Sequence, residues 1–315
     1  EKLAGGGSAG VGGRLLTRAD KAINSVDLGG QWIGPRRQQP HIWRAVERFG
    51  LSTHPQRYAG QRVLDLGLPG MQPVYYCSEI PSGLGFVALL VTQIFVWWVE
   101  FNAYVRVKQR LFTRPAATST LAKFMGFLRW VPVKESQKVA PLALACTLVR
   151  GVFGVEAEQL SWPHFLRYVS SAGGVERLAA LQNGFQETVL DDGAQQICIR
   201  LLEEIESCGG RVYTNECVSQ CEFMVSTRPS KCDEVVLHTL ASSGVCKKMR
   251  AARVVFAVPP TKKASIHSLG LPEHLRLQAE ATLSVQRHRS MGCIIKIVVC
   301  YEAGFSGSRL VFLAK

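Results

Sequence analysis

Two glycine-paired segments constrain this chain most: Val11-Gly12-Gly13-Arg14, and Asp27-Leu28-Gly29-Gly30-Gln31-Trp32-Ile33-Gly34-Pro35. Adjacent glycines let a backbone come close to a neighbour with no side chain in the way. The planar cation Arg14 follows the first pair, and Gln31-Trp32 follows the second. Together they could wall a phosphate-bearing aromatic group, with backbone N–H groups and a guanidinium for the phosphate. A plain surface turn is the commoner explanation of the first motif, and a hairpin with a buried Trp32 explains the second equally well. Upstream, Gly5-Gly6-Gly7-Ser8-Ala9-Gly10 satisfies G-x-G-x-x-G. That spacing binds dinucleotides only between a strand and a helix. Here four residues precede it and Gly12-Gly13 follows, so it also reads as a flexible glycine segment.

The 315 residues suffice for about two domains, and 47% hydrophobic with 19% charged residues is a globular composition. Nearly all of the net charge of +13 lies in residues 1–150, which carry 19 Lys+Arg against 8 Asp+Glu. No zinc-finger, RNA-recognition or basic-zipper pattern accompanies this charge, which argues against nucleic acid as a partner. A phosphate cofactor, an acidic surface or anionic lipid fits better. The ten cysteines form no CxxC pair, and the Cys217/Cys221 spacing has no matching ligand pair for zinc. Scattered reduced thiols and the lack of a visible signal peptide predict an intracellular protein. Cys293 and Cys300 are expected in an apolar core.

The hydrophobic pattern alternates element types. His41–Gly50 predicts a helix with Ile42, Ala45, Val46 and Phe49 on one face. Residues 55–80 predict short strands and turns. Leu84–Val99 is the most apolar stretch and predicts a buried helix; it is shorter than the ~20 residues of a spanning helix, and a membrane anchor is the alternative. Residues 115–170 read as mostly helical. One helix begins at Ser161-Trp162-Pro163, with proline suited to its first turn, and ends at Ala172-Gly173-Gly174. Gln195–Ser207 predicts a helix stopped by Cys208-Gly209-Gly210. Strands are expected at Arg211–Glu222, Val235–Leu240, Ala252–Val258 and Cys293–Tyr301. The basic cluster Lys247, Lys248 and Arg250 reads as a solvated turn. Glycine-paired turns among helices and strands predict an α/β protein of two interwoven domains.

Chemistry-bearing residues are sparse. Lys296 sits within Ile294-Ile295-Lys296-Ile297-Val298-Val299. There it guards an edge strand, reaches solvent along its stem, or points into a polar site that depresses its pKa. No G-x-S-x-G nucleophile context occurs. The seven histidines read as isolated, and Asp191-Asp192 as a turn before a helix.

In this order the residues resemble the flavin-containing monoamine oxidase family, within the flavin amine oxidase superfamily. VGGR at 11–14 is similar to the end of that family's second flavin motif, and VDLGGQWIGP at 26–35 to its next signature. Val152–Glu156, Ser161, Phe165-Leu166, Tyr168 and Ala172-Gly173-Gly174 resemble its helical region. Gln186-Glu187, Gly193, the helix at 195–207 and Val218 resemble its returning cofactor segment. Ala257-Val258-Pro259-Pro260 resembles its Ala-x-Pro-Pro turn, and Gly292-x-x-x-Lys296 its flavin-facing lysine. Residues 60–145 match only loosely.

The resemblance implies an incomplete Rossmann-like FAD-binding domain interleaved with a substrate domain of mixed sheet plus helices. The expected boundaries are 1–75 and 173–260 for the FAD-binding segments, and 76–172 and 261–315 for the substrate domain. It implies FAD as cofactor, and oxidation of a small-molecule amine by O2 to aldehyde, ammonia or amine, and hydrogen peroxide. Gly12, Gly13 and Arg14 would hold the pyrophosphate side; Gly29, Gly30, Gln31 and Trp32 would lie along the flavin. Val218 would contact the adenine, and Lys296 would hold a water near the reactive flavin nitrogen. A cytoplasmic or mitochondrial outer-membrane location follows by resemblance, without the family's usual C-terminal anchor. The family's first βαβ unit with its ribose-binding acid has no counterpart between Gly10 and Val11, and its later flavin motif and aromatic cage have none before Lys315. The expectation is therefore a partial chain, with a catalytically inactive form that binds no flavin and acts as an interaction protein as the alternative.

Overall fold

A computed structural model describes residues 10–18, 25–56, 60–77, 81–108, 119–225, 232–259, 266–270, 292–298 and 309–313. Residues 5–9 of the glycine pattern, Pro260, and residues 299–301 with Cys300 lie outside the described residues. The chain forms two compact units. One comprises the residues through Val11 with Leu202–Gly292, the other Gly12–Leu201 with Cys293–Lys315.

The larger unit begins with a short ladder in which β1 (Thr17–Arg18) pairs antiparallel with β2 (Val26–Asp27). Next come β3 (Trp32–Ile33), α1 (Pro40–Arg48) and β4 (Thr53–Pro55). β3 and β4 flank β7 (Thr188–Leu190), antiparallel on both sides. α1 starts at a proline, whose fixed φ suits the first turn, and is followed by Gly50 at φ +60°. Its Val46 packs with Ile33, Leu190 and Ile197 in a small core, whereas Ile42 remains exposed. A second sheet places β5 (Gln61–Asp65) between antiparallel β6 (Val74–Tyr76) and parallel β12 (Arg309–Leu313).

The main core of this unit is helical. α2 (Phe86–Asn102) runs on as a π-turn through Lys108; α3 (Leu121–Met125), α4 (Glu135–Phe153) and α5 (Trp162–Ala172) complete it. α5 follows the expected punctuation: Pro163 lies in its first turn and Gly173 closes it at φ +84°. It buries Trp162, Phe165, Leu166 and Val169, and Trp98 of α2 stacks on Trp162 at 5.0 Å. α2 departs from the expected buried helix. Val91, Phe95 and Val99, at spacings of four, face the core, while Phe86, Leu90, Trp97 and Phe101 are exposed. Phe86–Val105 is long and apolar enough to cross a membrane by length and composition. The apolar run is thus two-faced: one stripe satisfies the core and the other meets solvent.

After α6 (Val175–Ala179) and β7, α7 (Gln196–Ser207) starts beside the small core and ends at Cys208-Gly209-Gly210, with Gly209 at φ +79°. The smaller unit holds a sheet in the order β10-β9-β8-β11. β8 (Glu216–Val225), β9 (Cys232–Ala241) and β10 (Cys246–Ala251) form an antiparallel meander, and β11 (His267–Leu269) lies parallel to β8.

Two sequence expectations are corrected in this unit. Lys247, Lys248 and Arg250 belong to strand β10 rather than a turn; Gly244, at φ +83°, makes the turn ahead of it. Among the described residues β10 is an edge strand, where lysines discourage further pairing. Residues 252–258, whose valine content suggested a strand, are irregular. β8 begins five residues later than expected.

Candidate functional site

The two glycine motifs meet each other. Residues 14–16 lie beside 28–30: Leu28 N donates to Leu16 O at 2.7 Å, Gly29 N to the same oxygen at 3.2 Å, and Gly30 N to Arg14 O at 3.0 Å. A Cβ on Gly29 would lie 2.0 Å from the Arg14 carbonyl oxygen, so glycine is required there by the protein's own backbone. Gly12, at φ +119°, is equally confined: a Cβ would lie 2.3 Å from Leu15 O. Gly13, at φ +57°, has open space around it, and Arg14 is exposed. Gly30 is limited only by the Leu15 side chain at 3.1 Å.

Asp27 ties this pair of segments to the turn before α7. Its carboxylate accepts the Thr17 hydroxyl at 2.5 Å and the Ala194 N–H at 3.0 Å. Gln195 returns two bonds: its side-chain oxygen accepts from Thr17 N at 2.9 Å, and its N–H donates to Thr17 Oγ1 at 3.2 Å. Gly193, at φ +85°, allows the approach, because a Cβ there would lie 2.2 Å from Thr17 Cγ2. Neither Asp27 nor Thr17 was singled out by sequence reasoning. Asp27 stood next to the glycine pair without an obvious charge partner nearby in sequence.

Lys296 reaches the second motif. Its Nζ donates to Gly29 O at 3.3 Å and to the Gln31 side-chain oxygen. Its segment is irregular rather than the expected strand, and it is docked by the C-terminus of α4: Cys293 N donates to Gly154 O at 3.0 Å. Gly154 closes α4 in the left-handed region at φ +64°, and a Cβ there would meet Ile294 Cγ1 at 2.7 Å. The helix-ending glycine is therefore also the seat of the lysine segment. Cys293 is exposed rather than core, and Ile295 is 84% exposed. Loss of hydration pushes the Lys296 pKa below the ordinary lysine range, and the Asp27 carboxylate partly offsets this.

Trp32 is 43% exposed, not buried, and its indole N–H donates to Gln56 while its backbone pairs with Val189 of β7. Val218 lies half-buried on β8 opposite Thr239, just before a register shift, in the smaller unit. The structure thus brings together Gly12, Gly13, Arg14, Gly29, Gly30, Gln31 and Lys296 within one unit, with Trp32 next in chain; Val218 belongs to the other unit.

Two histidines are not isolated. His54 Nδ1 lies 2.5 Å from Asp191 Oδ1, and His238 Nε2 lies 3.3 Å from Glu222 Oε2. Among the described residues no cluster of three metal-ligating side chains occurs.

The donor set suits the flavin-facing side of the implied cofactor. One ammonium is held by a carbonyl and an amide oxygen, with an exposed indole neighbouring Gln31 in the chain. On the phosphate side, Gly13 offers open space next to exposed Arg14.

No protein-family model matches the chain. Flavin-containing amine oxidase A of Equus caballus is 26% identical over 308 residues, covering 94% of this chain and 51% of that protein. A putrescine oxidase bound to putrescine superposes with a TM-score of 0.65 at 19% identity, covering 86% of this chain and 55% of that one. Cyclohexylamine oxidase from Brevibacterium oxydans IH-35A gives a TM-score of 0.65 at 18% identity, covering 87% and 55%. The architecture is a mixed α/β fold resembling that of the flavin amine oxidases. The chain is similar in sequence to flavin-containing amine oxidases, and it spans about half the length of the relatives it matches.

Proposed function

We propose that this chain carries the flavin-facing wall of an FAD-dependent amine oxidase. The observation that carries the reading is Lys296, which comes from the far end of the chain to Gly29 and Gln31. A bound flavin supplies the two-electron acceptor that converts an amine to an imine, with O2 taking the electrons to give hydrogen peroxide and water releasing the aldehyde. The protein's part is placement and electrostatics. Gly12, Gly13 and Arg14 would hold the pyrophosphate side through N–H groups and the guanidinium. Gly29, Gly30, Gln31 and Trp32 would lie along the ring, Val218 would meet the adenine through its backbone, and Lys296 would hold a water by its ammonium. Segments 1–75 and 173–260 would form the cofactor side, and 76–172 and 261–315 the substrate side. A small-molecule amine with O2 would be the substrates, in an intracellular setting that includes the mitochondrial outer membrane.

A second reading is supported by a specific observation. The close approaches at Gly12 and Gly29 are to the chain's own carbonyls, so both glycines are needed without any cofactor. In that reading the chain binds no flavin and acts through protein contacts. The purified chain mixed with FAD, freed of excess and scanned in the visible, separates the two. Flavin bands near one per chain, with peroxide released on adding an aromatic amine or a polyamine, support the oxidase. A colourless protein that releases no peroxide overturns it.

A further inference from the structure

We propose that Gln31 is the positioning residue for Lys296, its side-chain oxygen and the Gly29 carbonyl fixing the direction of the ammonium. The proposal rests on the reading of Lys296 as flavin-facing, and it adds the group that decides where that ammonium points.

An ammonium has three N–H donors on a flexible four-carbon stem, so without fixed acceptors its direction is undefined. Here two acceptors converge on it, both from one short segment, Gly29 O and Gln31 Oε1. That segment is rigid for reasons independent of the lysine. The N–H groups of residues 28–30 are bonded to Leu16 O and Arg14 O, and Gly29 abuts the Arg14 carbonyl with no room for a Cβ. Beyond Gln31, Trp32 is fixed by its ladder with Val189 and its indole bond to Gln56. The lysine's segment is seated on Gly154 through Cys293 and Ile294. Both ends of the contact are therefore held, and Gln31 is the side chain that joins them. Among the described residues the Asp27 carboxylate opposes the Lys296 charge, and it is itself bonded to Thr17 and Ala194. A neutral amide acceptor holds the ammonium without cancelling its charge, so the one remaining N–H stays available as a charged donor.

Competitive acetylation with acetic anhydride, followed residue by residue by mass spectrometry across pH 7–11, tests this on the full chain without flavin. Only the neutral amine reacts, so the rate at Lys296 reports its protonation and access. Gln31→Leu removes an acceptor that favours the charged amine, and should raise Lys296 labelling near pH 8 by about threefold or more. Gln31→Glu supplies a charged acceptor of similar shape, and should lower it below the parent chain. A merely structural role for Gln31 does not move the two variants in opposite directions. Lys247, bonded to Glu216 in the other unit, is the internal control for folding. Opposite shifts at Lys296 with Lys247 unchanged support the proposal. Identical Lys296 profiles in all three proteins overturn it, as does a shift in the same direction in both variants. FAD binding is scored separately by absorbance: opposite shifts in a chain that takes up no FAD leave the positioning role standing and remove the cofactor reading.

Discussion

Gly29→Ala is the sharpest perturbation, because the structure assigns the paired glycines different reasons to be glycine. At Gly29 the obstacle is backbone: a Cβ would lie 2.0 Å from Arg14 O, 2.8 Å from Arg14 C and 2.9 Å from Leu16 N. None of these can rotate away, so residues 14–16 and 28–30 must separate. The separation weakens three bonds, of 2.7, 3.2 and 3.0 Å, that join the segments. At a net value of about 1 kcal/mol for each bond, partial loss plus residual overpacking costs about 2–4 kcal/mol. At Gly30 the obstacle is the Leu15 Cδ2 methyl at 3.1 Å, the end of a flexible side chain, and the cost should stay below about 1 kcal/mol. Gly13 has no neighbour within 4 Å but sits at φ +57°, so alanine there costs only the left-handed backbone penalty, about 1 kcal/mol. Urea unfolding followed by circular dichroism should rank the variants Gly29→Ala far below Gly13→Ala and Gly30→Ala, with a midpoint drop of about 1 M or more for the first. Equal midpoints for Gly29→Ala and Gly30→Ala would refute the close-approach argument. A Gly30→Ala chain that keeps its stability but fails to take up FAD would instead locate a cofactor requirement at Gly30.

Further outcomes follow from the polar contacts. Asp27→Ala strips the Thr17 hydroxyl and the Ala194 N–H of a charged acceptor, and should cost about 2–3 kcal/mol in urea unfolding. The same variant removes the charge that supports the protonated Lys296, so acetylation of that lysine should begin at lower pH. In the smaller unit, the Lys247 ammonium and then the Thr239 hydroxyl hold the Glu216 carboxyl below its ordinary pKa of 4.5. The carboxyl's folded pKa is the lower one, so its contribution is full above the unfolded value and is lost as pH falls through the folded one. Lys247→Met should flatten that acid limb of the stability–pH curve, and an unchanged limb would show that the pair contributes nothing.

Punctuated elements were readable from the residues alone. α5 is bracketed by Pro163 and Gly173, and α1 by Pro40 and Gly50; each signal acts within one helical turn. β10 was missed because its lysines and arginine are exposed on a strand that pairs, among the described residues, with β9 alone, while the valines at 254–258 imitate a strand in a segment that is irregular. α2 was half-readable: composition showed an apolar helix, but not that only one stripe would find a core. The contact of Lys296 with Gln31 was not legible as a contact, since it joins residues 265 apart and depends on where α4 ends. The resemblance placed both on one wall; only the seat at Gly154 says why they touch. The Asp27 clamp was hidden for the same reason, its partner N–H arriving from Ala194.

The discontinuity of the larger unit has a consequence for biosynthesis. Its segment Gly12–Leu201 emerges from the ribosome first, yet the strip carrying Lys296 follows only after the 91 residues of Leu202–Gly292 have been made. At usual elongation rates that interval is roughly 5–18 s, long compared with the folding of most small domains. During it the left-handed end of α4 and the Gln31 amide wait for their partner. Closing the intervening 91 residues as an unfolded loop costs about 4 kcal/mol of closure entropy. Prior folding of the meander shortens that loop, so a destabilised β8–β9–β10 sheet would be felt as slow arrival of the lysine.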